Sequence, residues 1–327
     1  MKYLIKRFKM ALIVLAAVSI IIFIMIHLQP GNPYANMIDP SVPPEMVEKR
    51  LESIGYYDPV PIQYIKWVGR LLRGDMGYSI VYKAPVASLI TKALKNTIVL
   101  SAASLIVSTL ISILLGLLSA EKPNSIIDNI INALCFTGIS LPTFFIGLMF
   151  VKIFSLSLGW FPASGMKTLT GNLKGFKLFL DMVKHAALPV GVLAFTQIAV
   201  ITRYIRSAMI KASREDFILA AKARGLTHRK SLISYGLRNS MVTIITVVGM
   251  QLPVLFSGAL ITETVFVWPG MGLLNYNAVL SKDYPLIMGI TMMVAVLIIA
   301  SNLLADVLYV VVDPRIRLTG EGDENAK

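Results

Sequence analysis

Six stretches of the chain are apolar at nearly every position, which is more than one buried face of an amphipathic helix requires. They cover residues 10–28, 98–118, 130–158, 186–206, 241–262 and 286–312. A bilayer crossing takes ~20 consecutive apolar residues, so each run predicts a membrane-spanning helix. Barrel strands are only about 9–11 residues long and alternate apolar with polar positions; these runs do neither. In hydrocarbon the backbone must satisfy its own hydrogen bonds, which leaves helices. Gly138, Pro142 and Gly147 interrupt the third run, Pro189 and Gly191 the fourth, and Gly249, Pro253 and Gly258 the fifth. Ordinary kinks and close helix contacts explain them, as does a pathway whose walls bend or separate.

The segments between the runs are uneven. Residues 29–97 are too long for a simple connector. After Pro40-Ser41-Val42-Pro43-Pro44 a helical pattern covers 45–54. A second covers 62–72, with Ile65, Val68 and Leu72 on one face. This region predicts a small, mostly helical cap, either a packing collar or a docking surface for an external partner.

Composition fixes the class. The chain is 56% hydrophobic and 15% charged, with a mean hydropathy of +0.71, where soluble chains carry about 25% charged residues. A soluble enzyme, a disordered chain and a disulfide-stapled domain are excluded. The single Cys135 cannot form an internal bridge, and Cys and His show no metal-ligand spacing. The net charge of +13 is chiefly a topology signal. With the amino terminus inside, about seventeen Lys and Arg fall in the inside segments and about five in the short outside loops. Both termini are then cytoplasmic and no nucleic acid is required. Residues 1–9 form a basic cytoplasmic start, the first run reads as an uncleaved anchor, and 313–327 form a cytoplasmic tail.

The cytoplasmic loop 207–240 is the most informative. From Glu215 to Leu226 it carries Glu215 and Asp216 at the start of a short helical pattern and Lys222 and Arg224 near its end, which suits the helix dipole. Gly225 stands where a helix end needs positive φ. Phe217, Ala220, Ala221 and Arg224 share a face whose alanines permit close approach, and a second basic helical stretch follows over 228–238. The pattern fits a docking element and equally a basic loop lying on anionic headgroups.

Ala220-Ala221-Lys222-Ala223-Arg224-Gly225 resembles the "EAA" loop of permease subunits from bacterial binding-protein-dependent ABC importers. Its flanks, Arg214-Glu215-Asp216-Phe217 and Leu237-Arg238-Asn239, are similar to the peptide and nickel branch. Leu72–Ser79, Gly159–Gly165, Thr262–Gly272, Lys282–Pro285, and Asp306–Tyr309 with Asp313-Pro314-Arg315 resemble further segments of dipeptide and oligopeptide permeases. The likeness runs in order along nearly the whole chain. One departure is Leu219, where the family motif has its glutamate.

The resemblance implies an all-α integral membrane protein of the type I importer permease fold, multi-pass in the bacterial cytoplasmic membrane. It implies a sister permease, two ATPase subunits that bind ATP and magnesium, an external solute-binding protein and a peptide cargo, all amid membrane lipid. It further implies an ATPase-coupling helix at Glu215, Asp216, Phe217, Ala220, Ala221, Arg224, Gly225 and Leu226. The chain itself has no Gly-x-x-x-x-Gly-Lys-Ser/Thr loop and no hydrolase constellation, so a cofactor-free, non-enzymatic subunit is expected. Nickel, glutathione or another peptide-like solute is an alternative cargo; an ion-coupled secondary transporter and a static membrane subunit are more distant readings.

Polar residues in or near the runs are the remaining candidates. Gln197 is a candidate pathway residue. Asn302 and Asp306, one turn apart, could form a polar seam with Asp313 near an inner gate, or simple helix–helix hydrogen bonds. Glu263, at the outer end of the fifth run, could contact the binding protein or face water. Lys152 is expected to snorkel and Cys135 to be a small buried side chain.

Overall fold

The computed structural model describes residues 2–29, 57–168, 173–251 and 260–312, with isolated positions 45, 48, 52, 55 and 253. Most of the helical pattern predicted over 45–54, and the tail after 312, lie outside the described residues. The apolar runs form helices α1 (Lys2–His27), α3 (Val86–Glu121), α4 (Ile126–Ser140), α5 (Thr143–Phe150), α6 (Phe176–Ser213), α9 (Leu237–Met250) and α12 (Tyr284–Val312). Shorter helices connect them: α2 (Val60–Leu72), α7 (Asp216–Ala223), α8 (His228–Ser231), α10 (Leu260–Val265) and α11 (Met271–Leu280). No named strand occurs among the described residues. Five helical stretches are long and apolar enough to cross a membrane, and α4 with α5 makes a sixth if the bent pair counts as one span.

That bend departs from the expectation of one continuous third span. Its two halves meet at 106°. Leu141 is extended (φ −83°, ψ 133°) because it precedes Pro142, whose ring excludes the α region at the residue before it. Beyond α5 the chain continues as a π-helical turn over Val151–Ser157, which carries the exposed Lys152.

α3 and α6 form the central pair. At 36 and 38 residues they are about 54 and 57 Å long and project well beyond a hydrocarbon core of ~30 Å. α3 presents α6 with a file of small residues, Ser104, Ser108, Ser112, Gly116 and Ser119, which continues outward through Ser101 to Thr97, all buried. Lipid tails are as apolar as leucine, so helices gain little by hiding apolar surface from one another; close backbone approach and interhelical hydrogen bonds hold them together. Both are present. Ser108 Oγ donates to Gln197 Oε1 at 2.8 Å, Gln197 Nε2 donates to Ser104 Oγ at 3.4 Å, and Ser112 Oγ donates to the Ile198 carbonyl at 3.4 Å. A Cβ on Gly116 would stand 2.5 Å from Ile205 Cγ2, and one on Gly138 of α4 would stand 2.9 Å from Ala199 Cβ.

Two apolar cores flank this seam. Leu105, Ile201, Ile205, Met209, Leu232, Ile244 and Val247 pack together toward the cytoplasmic side. Val86, Ile90, Met271, Ala278, Leu286 and Ile290 do so toward the outside.

Gly116→Val is expected to push α3 and α6 apart and cost about 1–3 kcal/mol by overpacking. A lowered thermal unfolding midpoint of the detergent-solubilised protein would report it; an unchanged midpoint would mean the two helices can move apart without penalty.

Candidate functional site

The cytoplasmic loop folds as a helix, a sharp turn and a second helix. Glu215 enters α7 extended (φ −78°, ψ 151°), Asp216 occupies the first turn and Lys222 the last, so charge opposes the helix dipole at both ends. The end is a Schellman motif. The Leu226 amide donates to the Ala221 carbonyl at 3.2 Å and the Gly225 amide to the Lys222 carbonyl at 2.9 Å. Gly225 sits at φ +87°, a left-handed conformation that costs an ordinary residue about 1–2 kcal/mol. Thr227 then caps α8, its side chain accepting from the Lys230 amide at 3.4 Å. A π-helical turn over Leu232–Gly236 leads into α9.

The helix has an inner and an outer face. Ile218 and Ala221 are fully buried, with Ile218 against Gly236 beside Met209 and Leu232. Glu215, Asp216, Leu219, Ala220, Lys222, Ala223, Arg224 and Gly225 are exposed, and Leu219 keeps 59% of its surface in solvent. The face predicted from Phe217, Ala220, Ala221 and Arg224 is therefore divided. Ala221 packs on the chain's own bundle, Ala220 and Arg224 look outward, and half-buried Phe217 lies on the boundary. Phe217, Tyr235, Arg238 and Asn239 line a shallow groove of about 300 Å³. The Arg224 guanidinium lies 5.7 Å from the Tyr235 ring centroid, within cation–π range.

A charged clamp joins α3, α4 and α6 about two turns before α6 ends. Asp128 of α4, fully buried, accepts from Arg206 Nε and Nη2 of α6, each at 2.7 Å. It also accepts from the Asn124 amide at 2.7 Å, from Asn132 Nδ2 at 2.9 Å and from the hydroxyl of Ser119 of α3. Three helices thus share one carboxylate a few residues before the loop begins. Arg229 and Glu121 add a more exposed pair at 3.7 Å.

The other predicted residues do not gather into a site. Gln197 bridges α3 and α6 as described. Asn302 is exposed, and the side chains of Asp306 and Asp313 lie outside the described residues. Glu263, expected to reach the binding protein or water, is instead fully buried. Its Oε2 accepts from the Gly272 and Leu273 amides at 2.6 and 3.3 Å, and its Oε1 accepts from Thr97 Oγ1 at 2.7 Å. It caps the start of α11, where orphan amides need an acceptor. Thr97 in turn accepts from the Met271 amide at 2.8 Å, and Trp268 Nε1 donates to the Asn96 carbonyl at 3.1 Å. A Cβ on Gly270 would collide with the Glu263 carboxylate, and one on Gly272 would stand 2.5 Å from Leu260 Cα; the glycines of Trp-Pro-Gly-Met-Gly make room for it.

Asp283 plays the same part for α12. Fully buried, it accepts from Ser79 Oγ at 2.5 Å, the Val81 amide at 3.1 Å and the Leu286 amide at 3.3 Å. Asp128, Arg206, Thr97 and Asp283 were not singled out from sequence as site residues. Only Asp283 carried a signal, by its position within Lys282–Pro285, a segment that resembles a permease motif.

Comparison with known proteins decides the family. Residues 112–318 match the model of the binding-protein-dependent transport system inner membrane component, and residues 1–101 match that of the N-terminal region of such membrane components. The chain belongs to this family. It is similar to the oligopeptide transport system permease protein AppB of Bacillus subtilis, at 40% identity over 96% of this chain and 98% of that protein. It is also similar to the dipeptide transport system permease protein DppB of Escherichia coli K12, at 34% over 97% and 99%. The di/tripeptide transport system permease protein DppB of Pseudomonas aeruginosa is 33% identical over 97% and 99%. As a permease of this family the chain is a multi-pass protein of the inner membrane and works within a transporter complex.

Asp128→Ala should leave the partly exposed Arg206 guanidinium and the Asn124 amide without their acceptor and cost about 1–3 kcal/mol, while Asp128→Leu combined with Arg206→Met should recover most of the loss; chemical denaturation of the purified protein compares them. Glu263→Ala should strand the Gly272 amide and the Thr97 hydroxyl, at about 1–3 kcal/mol for each buried unsatisfied group. Glu263→Gln, which keeps an acceptor, should lose less on the same assay.

Proposed function

We propose that the chain is one of two related permease subunits that form the translocation pathway of an ATP-driven importer, and that α7 with its Gly225 turn is the part an ATPase subunit grips. The observation that carries this reading is the two-sided burial of α7. Ile218 and Ala221 are buried on its inner face, and Ile218 reaches Gly236 of the π-helical turn beside Met209 of α6, so a displacement of α7 bears on that turn. Leu219, Ala220 and Ala223 face the cytosol with little bulk, and Leu219 leaves an apolar side chain uncovered where water would otherwise meet it. Small residues beside one exposed leucine suit a partner that closes tightly over the helix, and the groove at Phe217, Tyr235, Arg238 and Asn239 offers a second hold.

In this reading ATP and magnesium bind the two ATPase subunits, and closure of those subunits displaces α7. Arg224 and Gly225 set the exit direction of the loop, and Leu226 completes the turn. Glu215 and Asp216 start the helix, while Asp128 and Arg206 fasten α6 to α4 about two turns before it ends. A solute-binding protein delivers cargo at the outer side. The names of the relatives support di- or oligopeptides as the cargo; nickel or glutathione would use the same machinery. Gln197, Asn302 and Asp306 are proposed to lie along or near the pathway, Gln197 by joining two of its walls.

Leu219→Asp alters an exposed position, so the chain's own stability should move by no more than about 0.5 kcal/mol, while ATPase subunits should no longer co-purify and cargo-stimulated ATP hydrolysis should fall to the uncoupled rate. Gly225→Val should reduce coupling more than Gly225→Asn, since asparagine tolerates positive φ. Uptake into vesicles driven by a proton or sodium gradient without ATP would overturn the reading.

A further inference from the structure

α2 carries three distinct sectors around its circumference. At 3.6 residues per turn, Gln63, Tyr64, Trp67, Val68 and Leu71 fall together and are partly buried. Pro61, Ile62, Ile65 and Leu72 occupy a neighbouring sector about 100° wide, and the last three are 44%, 68% and 82% exposed. Lys66, Arg70 and Arg73 occupy the sector beyond that and are exposed. A helix with water on its whole outer side has no use for the middle sector.

The depth of α2 supplies the reason. The Tyr64 hydroxyl hydrogen-bonds Ser19 Oγ at 2.8 Å, the Phe23 ring lies 5.3 Å from Tyr64 and 5.8 Å from Trp67, and His27 Nε2 meets Gln63 Oε1 at 3.1 Å. Those partners, Ser19, Phe23 and His27, are spread over about 12 Å of the outer half of the α1 span, which runs Lys9–His27. Tyr284 and Met288 of α12 close the same cluster. Along that stretch α1 itself exposes Ile20, Ile21, Ile24 and Met25. A helix that reaches residues this far inside a membrane span lies level with the bilayer boundary, beneath the water layer.

We propose that α2 is an interfacial helix embedded in the outer leaflet of the membrane. Ile62, Ile65 and Leu72 enter the acyl boundary, Arg70 and Arg73 sit among the headgroup phosphates beside Lys66, which is paired with Asp58 at 2.5 Å, and Tyr64 and Trp67 fasten the helix to α1. Helices with an apolar face, aromatic residues and a basic stripe bind bilayer interfaces in this way, and aromatic rings favour that depth. The occupant of the uncovered stripe is lipid. The function of α2 is then to hold the extracytoplasmic segment down against the membrane at one side of the bundle.

The test uses the full chain in its assembled complex, reconstituted in phosphatidylglycerol-containing vesicles. Single cysteines at 62, 65, 66, 70 and 72 carry a nitroxide, with Cys135→Ser as background. Oxygen partitions into lipid and a nickel chelate stays in water, so their relaxation effects report depth. Labels at 62, 65 and 72 should be more accessible to oxygen than to nickel, and labels at 66 and 70 should show the opposite order. Greater nickel access at 65 and 72 would overturn the proposal by placing the stripe in water. Protection of both positions from both reagents would overturn it too, since protein and not lipid would then cover them.

Discussion

Water is missing from the middle of a bilayer, and every polar group of this chain that enters it must find its partner inside the protein. Ser104, Ser108, Ser112 and Gln197 of the α3–α6 seam meet that demand and serve cohesion. Burying leucine against leucine gains little when the alternative is a lipid tail, so the two longest helices are joined by hydroxyls, one glutamine and glycine-width backbone contact. Gln197 spans the seam, accepting from Ser108 and donating to Ser104. Gly116 allows Ile205 to approach without a gap.

The same demand returns at the helix ends, where it is met by acidic side chains. Glu263 satisfies the first amides of α11, Asp283 those of α12, and Asp128 draws Arg206, Ser119 and Asn132 around itself. Each carboxylate is fully buried, and each ties together segments far apart in sequence. Thr97 meets Glu263 across 166 residues and Ser79 meets Asp283 across 204. The segments Leu72–Ser79 and Lys282–Pro285, which resemble separate permease motifs, are in space the two halves of one hydrogen-bonded joint.

Much of this was legible in the order of residues. Runs of twenty or more apolar residues announce spans with little ambiguity, because no other environment tolerates them, and Gly225 with its acidic and basic neighbours announces a short helix with a left-handed exit. The inward rotation of Ala221 was not legible. Helical spacing puts Phe217, Ala220, Ala221 and Arg224 on one stripe, but only the packing of the adjacent Ile218 beside Gly236 and Met209 decides which edge of the stripe turns inward. Glu263 misled for a related reason. A carboxylate at the end of an apolar run reads as a group in water until Gly270 and Gly272 are seen to leave room for it beside three donors. The elbow at Pro142 was visible as a proline, but its angle depends on how Ile146 and Phe150 pack against Leu188 and Val192 of α6 and against Phe266.

The continuity of α6 has a mechanical corollary. The helix runs from Phe176 on the outside to Ser213 beside α7, and it is pinched most tightly near Ala199 and Ile205, where Gly138 and Gly116 admit it. With Ile205 as fulcrum, the inner arm to Ser213 is about 12 Å long and the outer arm as far as Pro189, where a backbone hydrogen bond is missing, about 24 Å. Were the stretch from Pro189 to Ser213 to tilt as one rod, its outer end would travel about twice as far as its inner end, so that the glycines governing how closely the helices meet would also set the gearing between the two sides.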